Sequence, residues 1–258
     1  MDKIKDTQAI NRFFKPIECK LNISAEEYHN LQACIAMVDA ASRTTNQSLY
    51  IIDYNKKNFL FVSNNPLFLC GYSPDEVKEM GYGFYLKVVP EEEIGMLMEI
   101  NEAGFDWLYH HPKEIRLDLT IEYDFHLKNE SSMPLMIHHQ LTPILLNEEG
   151  DIWLALCNVS LSSATGHGNV TMNQRNSSAH YEYSFVTRRW KEVNNIALTE
   201  RESDILRYSI KGLSNTEIGE KLFIDASTVK FHKRKIFDKL HTDNITEAIN
   251  VAVCKKLI

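Results

Sequence analysis

Lys230 to Lys235 hold five Lys, Arg or His side chains and one aromatic residue, Phe231, in six consecutive positions. Cations at this density suit phosphate oxygens, and Lys or Arg also suit the acceptor edge of guanine. A Phe among them suits the methyl group of thymine. The competing account is a solvated charged face with Phe231 turned against a neighbour. Other chemistry finds little support. The chain has no G-x-S-x-G elbow, no phosphate-binding loop and no H-E-x-x-H, so no enzyme is expected. Cys19, Cys34, Cys70, Cys157 and Cys254 are scattered and odd in number, which suits reduced thiols and neither a disulfide frame nor a zinc site. His126, His138 and His139 fall in strand-like segments without an acid or Cys cluster at defined spacing, and read as surface or hydrogen-bonded residues. His110-His111 stand before Pro112, which disfavours a helix there and with it a haem ligand. No metal and no cofactor are expected.

The basic run needs a helix to present it, and the sequence around it supplies one. Thr199-Glu200-Arg201-Glu202 and Ser214-Asn215-Thr216-Glu217 are capping boxes, each able to satisfy the first free N–H groups of a helix. Asp225 is expected to cap a third helix from Ala226 to about Leu240. Gly212 stops the first helix, and only Phe223-Ile224-Asp225 separates the short second helix from the third. Ile205, Leu206, Ile218, Leu222, Val229, Ile236 and Leu240 recur at helical spacing and should form one small core. That leaves Lys230, Phe231, Lys233, Arg234 and Lys235 largely outside it.

Charge is divided along the chain. The net formal charge of −7 hides 14 Lys/Arg against 25 Asp/Glu in residues 1–186, and 14 against 10 in residues 187–258. Only the C-terminal part is a credible nucleic-acid surface. No apolar run approaches the ~18 residues of a membrane span, and MDKIKDTQAINRFF lacks a signal-peptide core. A cytoplasmic protein is therefore expected.

The stretch Leu198–Leu240 resembles the LuxR-type helix-turn-helix, a four-helix all-α domain. The resemblance rests on Leu198-Thr199, Arg201-Glu202, Ile205-Leu206, Gly212, Ser214-Asn215, Glu217-Ile218, Leu222, Ile224, Thr228-Val229-Lys230, His232, Ile236 and Lys239-Leu240. It implies that Thr228, Lys230, Phe231 and Arg234 face DNA, flanked by Lys233 and Lys235, with Asn215 and Thr216 at phosphates. Thr216 and Gly219 depart from the Lys and Ala often found there. A fourth helix, about Ile245 to Lys255, either pairs two such domains or packs within its own.

Before this domain the apolar period changes. Ser24-Ala25-Glu26-Glu27 opens a helix from about Ala25 to Ala41, which packs on the next domain or pairs with its own copy. LYIIDYN and NFLFVSN read as two strands, followed by short helices near Asn65–Cys70 and Ser73–Glu76. Another helix opens at Pro90-Glu91-Glu92-Glu93, where acids suit its dipole. Three long strands are expected at Glu114–Leu127, Met133–Leu146 and Ile152–Leu161. This order, with FVSNNPLFLCGYSPDEV and VVPEEE, resembles a PAS domain, which implies sensing, dimerisation or both. Cys70 lacks the Asn-Cys-Arg-Phe-Leu-Gln run of flavin-binding members.

The fold expected is thus α+β: residues 1–46 a helical extension, 47–162 a PAS-like antiparallel sheet with flanking helices, 163–195 a connecting segment, and 196–258 the helix-turn-helix domain. Val170 and Met172, then Tyr181, Tyr183 and Phe185, alternate around a QRNSS turn and suggest that the connection is a β-hairpin. The reading is a DNA-binding transcription regulator that acts as a homodimer on double-stranded DNA, with a small-molecule ligand of unknown kind in the PAS-like domain and no membrane contact. The alternative is a protein-interaction module, with the PAS-like domain as dimeriser and the helix-turn-helix as docking surface.

Overall fold

The computed structural model describes residues 13, 21–129, 133–175, 179–194, 197–254 and 257–258. Two compact units divide the chain, residues 1–193 and 194–258. The expected QRNSS turn and the N-terminal extension fall partly outside the described residues, and Cys19 and Lys255 lie outside them.

The N-terminal unit is built on one eight-stranded sheet. Its strands are β1 (Ser48–Asp53), β2 (Asn58–Val62), β3 (Leu119–Leu127), β4 (Leu135–Leu146), β5 (Ile152–Leu161), β6 (Gly168–Gln174), β7 (Ala179–Ser184) and β8 (Arg189–Asn194). They lie in the order β2-β1-β5-β4-β3-β6-β7-β8. The first five, with the helices inserted between β2 and β3, make the PAS-like arrangement. Two short helices, α1 (Ala25–Asn30) and α2 (Gln32–Ser42), precede β1. Between β2 and β3 come α3 (Pro66–Leu69), α4 (Pro74–Met80), α5 (Gly83–Val88) and α6 (Glu91–Tyr109).

Strand period assigns the two faces. Tyr50 and Ile52 of β1 join the main core with Phe68, Phe84, Ile100, Phe105, Cys157 and Met172, under α3 to α6. Ile51 points the other way, to a second cluster with Leu31, Trp153 and Leu154. Ile23, Tyr28, Ile35 and Val38 pack on that cluster, so α1 and α2 cover the outer face of β1 and β5. Further along, the outer face is polar. Gln140 Nε2 donates to Glu122, Asn158 Nδ2 donates to Gln140, and Thr120 and Thr142 share a bond across β3 and β4.

Three expectations are corrected. The single helix over Ala25–Ala41 is two helices, because Leu31 N–H turns back to Tyr28 O and the Leu31 side chain plugs the outer cluster. The strand expected from Glu114 begins at Leu119. Lys113–Asp118 form a 3-10 turn, in which Ile115 N–H bonds Pro112 O and the Arg116 guanidinium donates to His111 O and Gly150 O. β4 starts at Leu135 instead of Met133, after Pro134, which has no N–H for a ladder. The strand β8 was not foreseen.

β6 and β7 form an antiparallel hairpin with Met172 opposite Tyr181, and β6 pairs with β3, Ile121 opposite Met172. Trp190 of β8 donates its Nε1–H to Ala103 O at 3.2 Å and its ring meets Trp107 and Tyr183. The hairpin therefore continues the sheet and packs against α6.

One polar residue lies at the centre of this core. His139 is 1% exposed, and Tyr50 Oη lies 2.5 Å from its Nε2 and 2.6 Å from Tyr85 Oη. Burial, with a smaller contribution from neighbouring His138, pulls the His139 pKa down to about 3. The unfolded chain takes up a proton near the ordinary imidazole value that the folded chain refuses. Stability of this unit should therefore fall as pH drops from ~6.5, by up to about 1.4 kcal/mol per pH unit from this residue. Urea unfolding at several pH values measures the slope, and His139→Gln should flatten it. An equal slope in the variant would remove His139 as its cause.

Candidate nucleic-acid interface

The C-terminal unit contains four helices among the described residues: α7 (Glu200–Ile210), α8 (Asn215–Leu222), α9 (Ala226–Leu240) and α10 (Ile245–Cys254). Both capping boxes form, with Thr199 and Ser214 accepting from the N–H groups of Glu202 and Glu217, and those carboxylates accepting from the cap N–H groups in return. Asp225 does sit at the N-cap of α9, but its side chain makes no capping bond. Its carbonyl instead takes the N–H groups of Thr228 and Val229. The seven residues expected in the core are all buried, joined by Ala248 and Ala252 of α10.

Two contacts fix how α9 is held. Gly219 of α8 lies against the turn so closely that a Cβ there would stand 2.5 Å from Ile224 O. The Gly219 carbonyl also receives Ile224 N–H at 2.9 Å and Phe223 N–H. The second contact is an ion pair. Lys239 Nζ lies 2.7 Å from Glu202 Oε2 and 3.0 Å from Ala197 O. Glu202 is 2% exposed. Burial raises its pKa, but the Lys239 ammonium and the Thr199 N–H and hydroxyl outweigh that and hold the carboxyl below its usual range. The capping role of Glu202 was readable, and its tie to Lys239 was not.

With α7 and α8 fixed behind it, α9 turns a defined face outward. It is 15 residues long, roughly 22 Å. Ser227, Lys230, Phe231 and Arg234 are exposed at spacings of three and four, with Lys235 beside them. Phe231 is 55% exposed and is not folded back on the core. Lys235 Nζ sits 4.7 Å from its ring centre and His232 meets its edge. Thr216, at the first turn of α8, is exposed, while Asn215 and Thr228 are half-buried. Lys233 is half-buried too, and burial lowers its pKa, so it lies off the open face. Ser227 was missed. Its place one turn before Lys230 was the available signal.

On α10, Ala248 and Ala252 are buried in the unit's own core, and Ile249 packs against it. Val253 remains 54% exposed.

A short helix, a three-residue turn and a basic helix with an open face define a helix-turn-helix of the DNA-binding class. Residues 197–252 match the family described as "Bacterial regulatory proteins, luxR family". The C-terminal unit is a LuxR-type helix-turn-helix domain. Curated relatives match in the same region. The fimbriae Z protein of Escherichia coli (strain K12) is 46% identical over 61 residues, 24% of this chain and 29% of that protein. The oxygen regulatory protein NreC of Staphylococcus carnosus is 43% identical over 61 residues, 24% of this chain and 28% of that protein. The chain thus spans under a third of the length of these relatives. It also aligns with a solved structure of the Vibrio cholerae VqmA dimer, over 86% of this chain and 88% of that one, at 13% identity and a TM-score of 0.35.

Two substitutions test how α9 is held. Gly219→Ala should destabilise the unit. The ~1 kcal/mol helix gain of Ala over Gly is outweighed by the backbone displacement needed at Ile224, and faster hydrogen exchange over residues 215–229 would report it. Slower exchange would show that the turn accommodates a methyl group. Glu202→Gln removes one partner of an ion pair whose other member, Lys239, is 35% exposed, and should cost about 1–3 kcal/mol. Because the folded carboxyl pKa is depressed, its contribution is present above about pH 4.3 and is lost as pH falls through the folded value. Amide exchange of 200–240 in the full chain, compared at pH 7 and near pH 4 for wild type and variant, reads both effects.

Proposed function

We propose that the chain is a cytoplasmic transcription regulator that binds double-stranded DNA through α9 and takes its signal through the PAS-like unit. The observation that carries this is the open face of α9, where two cations and an aromatic side chain stand one helical turn apart in a domain of the LuxR type. In this reading Lys230 and Arg234 reach base edges or phosphates, Phe231 meets a thymine methyl, and Lys235 follows the backbone. Thr216 and Asn215 bring the N-terminus of α8 to a phosphate, where free N–H groups and the helix dipole favour an anion. Thr228 and the half-buried Lys233 support the edges of the contact. A homodimer would place two copies of α9 in successive major grooves, about 34 Å apart. A change in the separation of the two copies would then couple signal to binding.

The interior of the PAS-like unit is the place we assign to the signal, a small hydrogen-bonding molecule. His139 Nδ1 is buried without a hydrogen-bond partner, beside the Tyr123 ring. Tyr54 and Tyr123 also line a cavity of about 40 Å³ with Ile100, Phe105, Leu141 and Met172. That volume holds only a few waters at most, so a ligand must move side chains to enter, and that movement is what a sensor needs. Cys70 is not a reactive group in this scheme, because burial raises its thiol pKa to about 11.

Purified full-length protein, used to recover bound genomic fragments, should yield a shared operator. Lys230→Ala and Arg234→Ala should each weaken that site by about 1–3 kcal/mol, with a smaller loss on random DNA where they read bases. Phe231→Ala should relax preference at a thymine position. Log affinity should fall steeply with log salt, each lost phosphate contact reducing the slope by about one. Affinity that is flat in salt, or unchanged in both cation variants, would replace DNA by a protein partner.

A further inference from the structure

Glu93 is an acid that the start of α6 does not account for. Glu91 and Glu92 are exposed, as first-turn acids usually are, but Glu93 is 3% exposed. Its Oε2 accepts from the backbone N–H of His126 at 2.8 Å, which fixes the carboxylate plane. Its Oε1 lies 2.5 Å from His126 Nδ1 and 3.4 Å from Nδ1 of His167, on the loop that leads into β6. Among the described residues, these are the one group of three His, Cys, Asp or Glu side chains whose ligand atoms all lie within 4.8 Å of one another.

We propose that Glu93, His126 and His167 bind a divalent transition-metal ion of the zinc type. Two imidazole nitrogens and one carboxylate oxygen suit such ions, whereas magnesium and calcium take oxygen ligands almost throughout. Ligands at 2.0–2.1 Å around a tetrahedral ion stand roughly 3.3 Å apart. The Glu93–His167 separation of 3.4 Å already fits. The Glu93–His126 separation of 2.5 Å has to open by roughly 0.8 Å, within reach of side-chain rotation because the His126 side chain is 28% exposed. The backbone bond on Glu93 Oε2 is the kind of outer support that orients a metal-bound carboxylate. The His167 side chain is 52% exposed, so a fourth position is reached from solvent by water or an incoming ligand. The ion joins elements far apart in sequence: the first turn of α6, the strand β3 and the loop before β6. It would thereby clamp the β6–β8 hairpin region to the PAS-like core.

The test uses the full chain, stripped with a chelator and titrated with Zn²⁺ by calorimetry and with Co²⁺ by visible absorption. One ion per chain should bind, with Co²⁺ bands of a four-coordinate nitrogen and oxygen site. His167→Ala changes an exposed side chain, and should weaken Zn²⁺ by at least roughly tenfold. Glu93→Gln should do the same, while His110→Ala, at another exposed histidine, should leave the affinity unchanged. Failure to bind one equivalent overturns the proposal, and so does affinity that survives in His167→Ala. Either result reduces the Glu93–His126 contact to a helix-to-strand tie.

Discussion

Backbone pairing on both edges of β3 is the constraint on which the N-terminal unit depends. β4 bonds one edge and β6 the other. A five-stranded PAS-like sheet would leave β3 as an open edge, with a row of unpaired N–H and C=O groups inviting another strand. Here the chain closes that edge itself. The added strands bring Tyr181, Tyr183 and Trp190 against α6, whose opposite side packs into the main core. One helix is thus clasped by both parts of the sheet, and the segment following β5 is a structural member of the unit rather than a tether.

The C-terminal unit separates the atoms that hold from the atoms that face outward. Capping boxes, the Glu202–Lys239 pair and the Gly219 contact use backbone or residues on the rear of α9. The outward residues carry almost none of that burden. In the N-terminal unit the division is reversed. Tyr50, Tyr85 and His139 are at once core residues and members of one buried hydrogen-bonded chain, so any rearrangement of them is also a change in packing.

Much of this was legible in the sequence because local signals and tertiary structure agree. The capping boxes, the apolar spacing of the helix-turn-helix and the alternation in β6 and β7 depend on residues close together in the chain. What stayed hidden depends on residues far apart. Lys239 reaches Glu202 across the unit, and Glu93 meets His126 from a different element. Asp124 likewise accepts from Asn169 and lies beside His138. Two of the histidines read as lacking acids, His126 and His138, have them, supplied by topology, while His139 meets tyrosines instead. The 3-10 turn before β3 escaped because Ile115 and Leu117 alternate as strand residues do, while Arg116 bonds the Gly150 carbonyl, which the sequence does not place nearby.

The contact between Gly219 and Ile224 leaves the outward face of α9 free to vary. At that contact main-chain atom meets main-chain atom, with no side chain between them, and the Glu202–Lys239 pair that also holds α9 lies on its rear. The outward residues can therefore be exchanged without retuning the angle at which α9 is offered. Under the proposed function, Ser227, Lys230, Phe231 and Arg234 would act as exchangeable type in a fixed frame, and a new operator would be spelled by replacing the type alone.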